Sequence, residues 1–275
     1  MAEEFCGLIE QPTEATPSAP LTDIRKHSMP PLPPMMQADP TLDAADRELE
    51  TRSRREPRRN YLGISAIGHA CARKLWYDVH QPIAEQFTAA TLKRFEDGHR
   101  SEDLMATRLR MAPGIQLWTV DPDTGQQFEC SDFGGRFKGH MDGVILGLQQ
   151  APKTPHVWEG KAVNDKKFAN FKKAKVQYGE KAALEQWDYV YWCQAQAYMG
   201  YFDLTRHYIT VCTPGVRDWD SARTEFDADA FMKIKDKAQR ILESPIPLAK
   251  VSTSPSWFEC KYCVYHDVCH GDAAP

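Results

Sequence analysis

Residues 134–148, GGRFKGHMDGVILGL, and 156–163, HVWEGKAV, decide how this chain is read. Both read as strands, and the turn-rich QQAPKTP (149–155) between them predicts a hairpin. Residues two apart on a strand share a face, so Glu159 and Lys161 project together, and pairing of the two strands brings Asp142 beside them. Two carboxylates from neighbouring strands suit an oxygen-liganded Mg²⁺ or Mn²⁺. A lysine on the same face can orient or activate an attacking water and stabilise developing charge. A metal there would lower the pKa of bound water and neutralise charge on a phosphoryl oxygen, which phosphodiester hydrolysis requires. Alone, an E-x-K triplet is commonly a solvated ion pair. Here Val157, Trp158, Ala162 and Val163 mark a buried strand, and a glycine-flanked, Asp-bearing strand precedes it.

Upstream, the helix expected at 88–111 carries Leu92, Phe95, Leu104, Met105 and Leu109 at amphipathic spacing, interrupted by Gly98. Glu102 on this helix can add a third carboxylate, with His99 on a similar face; the alternative is an ordinary surface glutamate. Downstream come a lysine-rich helix at 165–178 and a second helix at 180–201. Gln194 and Tyr198 lie four apart on the latter, hence on one face, suited to hydrogen-bonding a phosphate or a base or simply to packing. Ser65 is the expected N-cap of a short helix carrying His69 to Tyr77. Residues 116–120 and 206–213 read as strands. The helix at 227–244 sets Phe231, Ile234, Ala238 and Ile241 on one face and is stopped by Pro245 and Pro247.

The helix 164–181 offers Lys166, Lys167, Lys172, Lys173 and Lys175 interleaved with Phe168, Phe171 and Tyr178. Lysines release counterions from phosphates, and aromatic rings stack on unpaired bases. The alternative is a solvated helix face with Phe168 and Phe171 in the core.

Of eight cysteines, three crowd the C-terminus as C-x2-C-x5-C: Cys260, Cys263 and Cys269. No second close pair accompanies them, so the fourth ligand must come from elsewhere, and Cys71 is the candidate. Four thiolates suit Zn²⁺ or a [4Fe-4S] cluster. Such a site would close a loop of roughly 190 residues and remove about 4–5 kcal/mol of unfolded-chain entropy, by analogy with a disulfide. His266 and His270 are possible substitute ligands. Cys6, Cys130, Cys193 and Cys212 read as non-ligands.

At 275 residues, 42% hydrophobic and 26% charged, the chain can bury a core, and it has no apolar run long enough for a membrane span. The N-terminal MAEEFCGLIE lacks a basic-then-apolar signal pattern, so the expected location is cytoplasmic. The net charge of −4 is uneven. Residues 1–50 hold three Lys/Arg against ten Asp/Glu, and the other 225 hold 31 against 28, so an acidic tail masks a slightly basic body. Nine of the nineteen prolines fall in residues 1–57, where aromatics are nearly absent, and this segment reads as a disordered acidic arm with a short helix at about 41–53. It ends in RSRREPRR (52–59), five arginines that form a solvated linker or an auxiliary nucleic-acid contact. The folded domain is 58–275.

Together these motifs resemble the PD-(D/E)xK nuclease superfamily, and within it the iron–sulfur branch of RecB-like nucleases. That branch includes the CRISPR-associated RecB-like exonucleases and the nuclease domains of AddAB-type helicases. The resemblance runs in order from about residue 61 to 270. Cys71 with Arg73 and Tyr77 is similar to the first cluster motif. Glu102 stands where the family often has histidine, Asp142 at the metal-binding aspartate, Glu159 and Lys161 at the E-x-K pair, and Gln194 and Tyr198 at Q-x-x-x-Y. Cys260, Cys263 and Cys269 stand at the remaining cluster ligands. The resemblance implies an α/β fold with a three-layer, restriction-endonuclease-like core and a central mixed sheet. It implies a C-terminal cysteine cluster holding [4Fe-4S], and Mg²⁺ or Mn²⁺ on Glu102, Asp142 and Glu159. It implies a DNA exonuclease, end-directed or acting on single strands, in recombination, repair or phage DNA processing, with Lys161 positioning water and Gln194 and Tyr198 setting the substrate strand. A recombination or replication protein is the partner the arm could bind. Two alternatives stay open: a non-catalytic DNA-binding subunit of a recombination complex, and zinc in place of the cluster.

Overall fold

A computed structural model describes residues 39–56, 59–83 and 86–271. The first 38 residues of the expected arm, Cys6 among them, lie outside the described residues. The helix expected near 41–53 is α1 (Pro40–Arg55). From Asp46 onward the described residues form one compact unit.

Two sheets organise that unit. One has three strands, with β4 (Phe137–Met141) between β1 (Leu62–Gly63) and β3 (Phe128–Asp132). The other has five: β2 (Gln116–Trp118), β5 (Gly143–Leu146), β6 (His156–Ala162), β7 (Arg206–Cys212) and β8 (Trp219–Glu225), in that spatial order. Its neighbours are antiparallel except β6 and β7, which run parallel and make the sheet mixed. A parallel pair needs a long crossover, supplied here by α4 (Asp165–Tyr178), α5 (Glu180–Trp187) and α6 (Tyr189–Tyr201).

Strand alternation assigns the helices to faces. Trp158 packs with Met105 and Ala106 of α3 (Ala89–Arg110), whereas Val157 packs with Cys193, Ala197 and Tyr198 of α6. Phe168 and Phe171 of α4 and Leu184 of α5 cover Ile209 and Val211 of β7. Under the three-stranded sheet, α2 (Ala72–His80) and α7 (Ala228–Glu243) share a core of Leu75, Trp76, Tyr77, Ile234, Ala238 and Ile241. The short helices α8 (Phe258–Lys261) and α9 (His266–His270) close the described chain. Among the described residues no helix is long and apolar enough to cross a membrane.

Several sequence expectations change. The run 134–148 is not one strand: β4 and β5 belong to different sheets, and Asp142 is the single residue between them. Gly143 permits the step, because the Trp118 carbonyl oxygen occupies the space its Cβ would need. Only β5, the second half, pairs with β6 as the expected hairpin. The helix 180–201 is two helices. Asp188 leaves helical geometry (φ −152°, ψ 98°), and its carboxylate accepts from the Val190 and Tyr191 N–H groups at 3.1 Å each. Ser65 sits in a short 3₁₀ turn, and Cys71 caps α2 instead, its Sγ accepting from the Lys74 N–H at 3.4 Å. Phe95 and Leu104 are exposed, because the packed side of α3 is made by Ser101, Met105 and Ala106.

Candidate active site

Asp142, Glu159 and Lys161 come together where the two sheets meet. The Asp142 Oδ2 accepts from the Gly160 N–H at 3.0 Å and lies 3.9 Å from the Lys161 Nζ. Lys161 donates to the Glu159 Oε1, which also accepts from the Gln194 Nε2 at 2.7 Å. The second Glu159 oxygen, Oε2, is buried and has no partner among the described residues.

Gly160 brings the third carboxylate close. A Cβ there would stand 2.9 Å from the Met105 Cε and 3.3 Å from the Glu102 Cγ. Absence of that side chain lets α3 press onto β6 and carry Glu102 to the group.

The crowding shows in the protonation equilibria. Burial, and then Asp142, push Glu159 up to about 8 despite Lys161. The same two causes push Glu102 up to about 7. Burial works against the Lys161 charge, yet Glu159 and Asp142 hold it well above the ordinary lysine range. Three carboxyl groups around one ammonium cannot all ionise cheaply, so Glu102 and Glu159 retain protons until a further cation offsets their charge.

Gln194 and Tyr198 share a face of α6, as spacing predicts, but both point inward. Gln194 is spent on Glu159. Tyr198 is 2% exposed and donates to the His140 carbonyl oxygen at 2.6 Å. Burial also raises its phenol far above the usual range. Their polar atoms are engaged by Glu159 and by the backbone of strand β4. Tyr191 joins this face: its ring centroid lies 5.6 Å from the Lys161 Nζ and 4.5 Å from the Lys167 Nζ. The signal that could have found it is its position three residues before Gln194. His99 is exposed.

The lysine helix is divided. Lys167 pairs with Asp188 at 2.7 Å, Lys175 with Asp220 at 2.6 Å and Lys172 with Asp218 at 3.8 Å. Lys166 and Lys173 are exposed without an ion pair among the described residues. Phe168 and Phe171 are buried against β7, so they offer no stacking face; Tyr178 is exposed.

Cys71, Cys260, Cys263 and Cys269 line one pocket, with His69, Glu259, His266 and His270. Burial raises the Cys260 and Cys263 thiols, and the neighbouring cysteines, Cys71 and Cys269 among them, add to it. The Glu259 Oε2 and His270 Nε2 are buried there without partners among the described residues. Cys130, Cys193 and Cys212 lie outside the pocket and are buried. Among the described residues no group of three or more His, Cys, Asp or Glu side chains is already drawn together as a metal-holding set, so neither the carboxylates nor the thiols are closed on a common point.

No family model and no curated protein matches the sequence. Among solved structures the chain is similar to an alkaline exonuclease from Laribacter hongkongensis, at 14% identity over 71% of this chain and 90% of that one, TM-score 0.46. The same exonuclease in complex with dAMP gives 15% identity, 67% and 87% coverage and TM-score 0.46. A phage-related exonuclease from Haemophilus somnus gives 13% identity, 66% and 91% coverage and TM-score 0.44. The side chains of the site, rather than these distant likenesses, bear on its chemistry.

Proposed function

We propose that this chain is a divalent-metal-dependent deoxyribonuclease, an exonuclease of the RecB-like PD-(D/E)xK type. In this reading the mixed sheet with helices on both faces is the three-layer core. One observation carries it: the Glu159 Oε2, a buried carboxylate oxygen without a partner among the described residues, next to Lys161 and in the company of Asp142 and Glu102. A buried carboxyl oxygen left unsatisfied is costly, ionising it without a counter-charge costs more, and a bound cation supplies the partner that would let Glu159 give up its proton.

Glu102, Asp142 and Glu159 would hold Mg²⁺ or Mn²⁺. Bound there, the ion would supply Lewis-acid stabilisation of a phosphoryl oxygen and a more acidic water. Gln194 fixes the Glu159 Oε1 and thereby aims Oε2 outward from the pair. Lys161 keeps its proton because two carboxylates face it, so it serves as a hydrogen-bond donor to water or to the developing phosphorane rather than as a base. The Gly160 N–H holds Asp142 in register with both.

The four cysteines would hold a [4Fe-4S] cluster or Zn²⁺, tying Cys71 at the start of α2 to the C-terminal helices. Brown colour with absorbance near 400 nm after anaerobic purification supports the cluster; a colourless, zinc-containing protein supports zinc. The activity is tested by nucleotide release from linear DNA on addition of Mg²⁺ or Mn²⁺. Strand binding without cleavage under any divalent metal would favour a DNA-binding subunit instead.

A further inference from the structure

Four residues before Asp142, Lys138 leaves the outer face of β4. Phe137 and Met141 on the other face are fully buried, and a Cβ at Gly139 would meet the Tyr198 hydroxyl at 2.8 Å and the Ile64 Cβ at 2.9 Å. Lys138 and His140 therefore turn away from the core. The Lys138 Nζ stands 4.5 Å from the centroid of the Tyr61 ring, and the Arg59 guanidinium carbon stands 5.9 Å from the same centroid. Arg59 also rests on Gly63, the β1 residue paired with Lys138. Arg59 is the last arginine of the RSRREPRR run.

Two cations share one aromatic ring, which attracts each of them, but they repel one another. Among the described residues neither has a carboxylate partner. Several other cations of the unit are neutralised: Lys167, Lys175, Lys181, Arg223 and Lys235 each pair with Asp or Glu at 2.8 Å or less. The carboxylate on this face of the sheet, Glu129, is engaged by His140 at 2.9 Å. Arg59 and Lys138 are thus an uncompensated positive pair held in place by a ring, an arrangement completed by an anion. Four residues of strand place it about 13 Å from Asp142 along β4, on the order of two nucleotide steps of an extended strand.

We propose that Arg59, Tyr61 and Lys138 form a subsite for an internal phosphodiester of the substrate strand, gripping it some distance along the strand from the bond to be cut. The proposal rests on the nuclease reading of Asp142, Glu159 and Lys161. Arg59 and Lys138 bind the phosphate, and Tyr61 holds the two cations at a fixed separation.

The test uses the full chain carrying Lys161→Ala, so that the strand is not degraded, and a fluorescent single-stranded oligonucleotide with a 5′-hydroxyl, so that only internal phosphodiesters are offered. Anisotropy titrations over a range of salt compare this parent with the same chain carrying Arg59→Ala and Lys138→Ala. The subsite predicts affinity at least about tenfold weaker at low salt and a salt slope shallower by about 0.7, the value for one phosphate no longer neutralised. A charge-conserving Arg59→Lys and Lys138→Arg chain should keep most of the affinity, which separates loss of charge from loss of fold. Equal affinity and slope in parent and alanine variants would overturn the subsite while leaving the nuclease reading intact. No strand binding by the parent, together with no cleavage by the wild type, would overturn both.

Discussion

The Gln194 amide donates to the Glu159 carboxylate at 2.7 Å, linking α6 to β6 at the point where the carboxylate also meets Lys161. One oxygen of Glu159 is thereby fixed from two sides and the other is left without a partner among the described residues. Gln194→Ala should release this clamp. With a buried carboxyl acceptor losing a donor, the expected cost is about 1–3 kcal/mol in urea unfolding, with a larger relative loss in metal-dependent activity than in strand binding. Unchanged stability and activity would show that the hydrogen bond holds nothing.

Gly160 makes a second, steric prediction. Gly160→Ala forces Met105 and Glu102 away from β6, costing about 1–3 kcal/mol and lowering activity because Glu102 leaves the group. Gly98, on the same helix, meets nothing within 4 Å of an added Cβ. Gly98→Ala should therefore stabilise the chain by about 0.5–1 kcal/mol. Thermal unfolding of the two variants side by side checks both signs.

The raised carboxylates give a pH dependence. Glu102, pushed to about 7, and Glu159, pushed to about 8, keep protons in the folded chain that the unfolded chain releases near 4.5. The folded state then binds more protons between these values, so their contribution to stability falls as pH rises through about 4.5 to 8. His207, pushed down to about 3 by burial, acts with the opposite sign below its ordinary 6.5. The clean readout is therefore the difference from Glu159→Gln, whose stability relative to wild type, without added metal, should grow from about pH 5 to pH 8.5. A constant difference contradicts the raised carboxylates.

At the cysteine pocket, Cys71→Ser should remove bound iron or zinc and lower Tm. Serine at Cys130, Cys193 or Cys212 should leave metal content unchanged, whatever it costs in packing. Metal analysis of the purified variants distinguishes the two groups; loss of metal from Cys193→Ser but not from Cys71→Ser would contradict the assignment.

The candidate group was legible in sequence because each part rests on local spacing: Glu159 and Lys161 at i, i+2 on a strand, and Gln194 and Tyr198 at i, i+4 on a helix. What those side chains touch was not legible. Spacing puts Tyr198 on the face of Gln194 but does not show its hydroxyl donating to the His140 carbonyl. Nor does the sequence show that Asp188, Asp218 and Asp220 arrive from other loops and strands to pair with three of the α4 lysines. The break at Asp142 was hidden because β4 and β5 run on in one apolar, glycine-punctuated stretch, and only their different pairing partners divide them. Strands β3 and β8 carry too many polar residues, FECSD and WDSARTE, to show a strand pattern on their own.

The nuclease reading is tested most directly by cleavage of end-labelled single- and double-stranded DNA with Mn²⁺, comparing the wild type with a folded Lys161→Ala chain. The wild type should cleave in a metal-dependent manner, and the variant should lose at least about a hundredfold in rate. Wild-type cleavage that survives Lys161→Ala, or no cleavage by the wild type with any divalent metal, would contradict the role given to Asp142, Glu159 and Lys161.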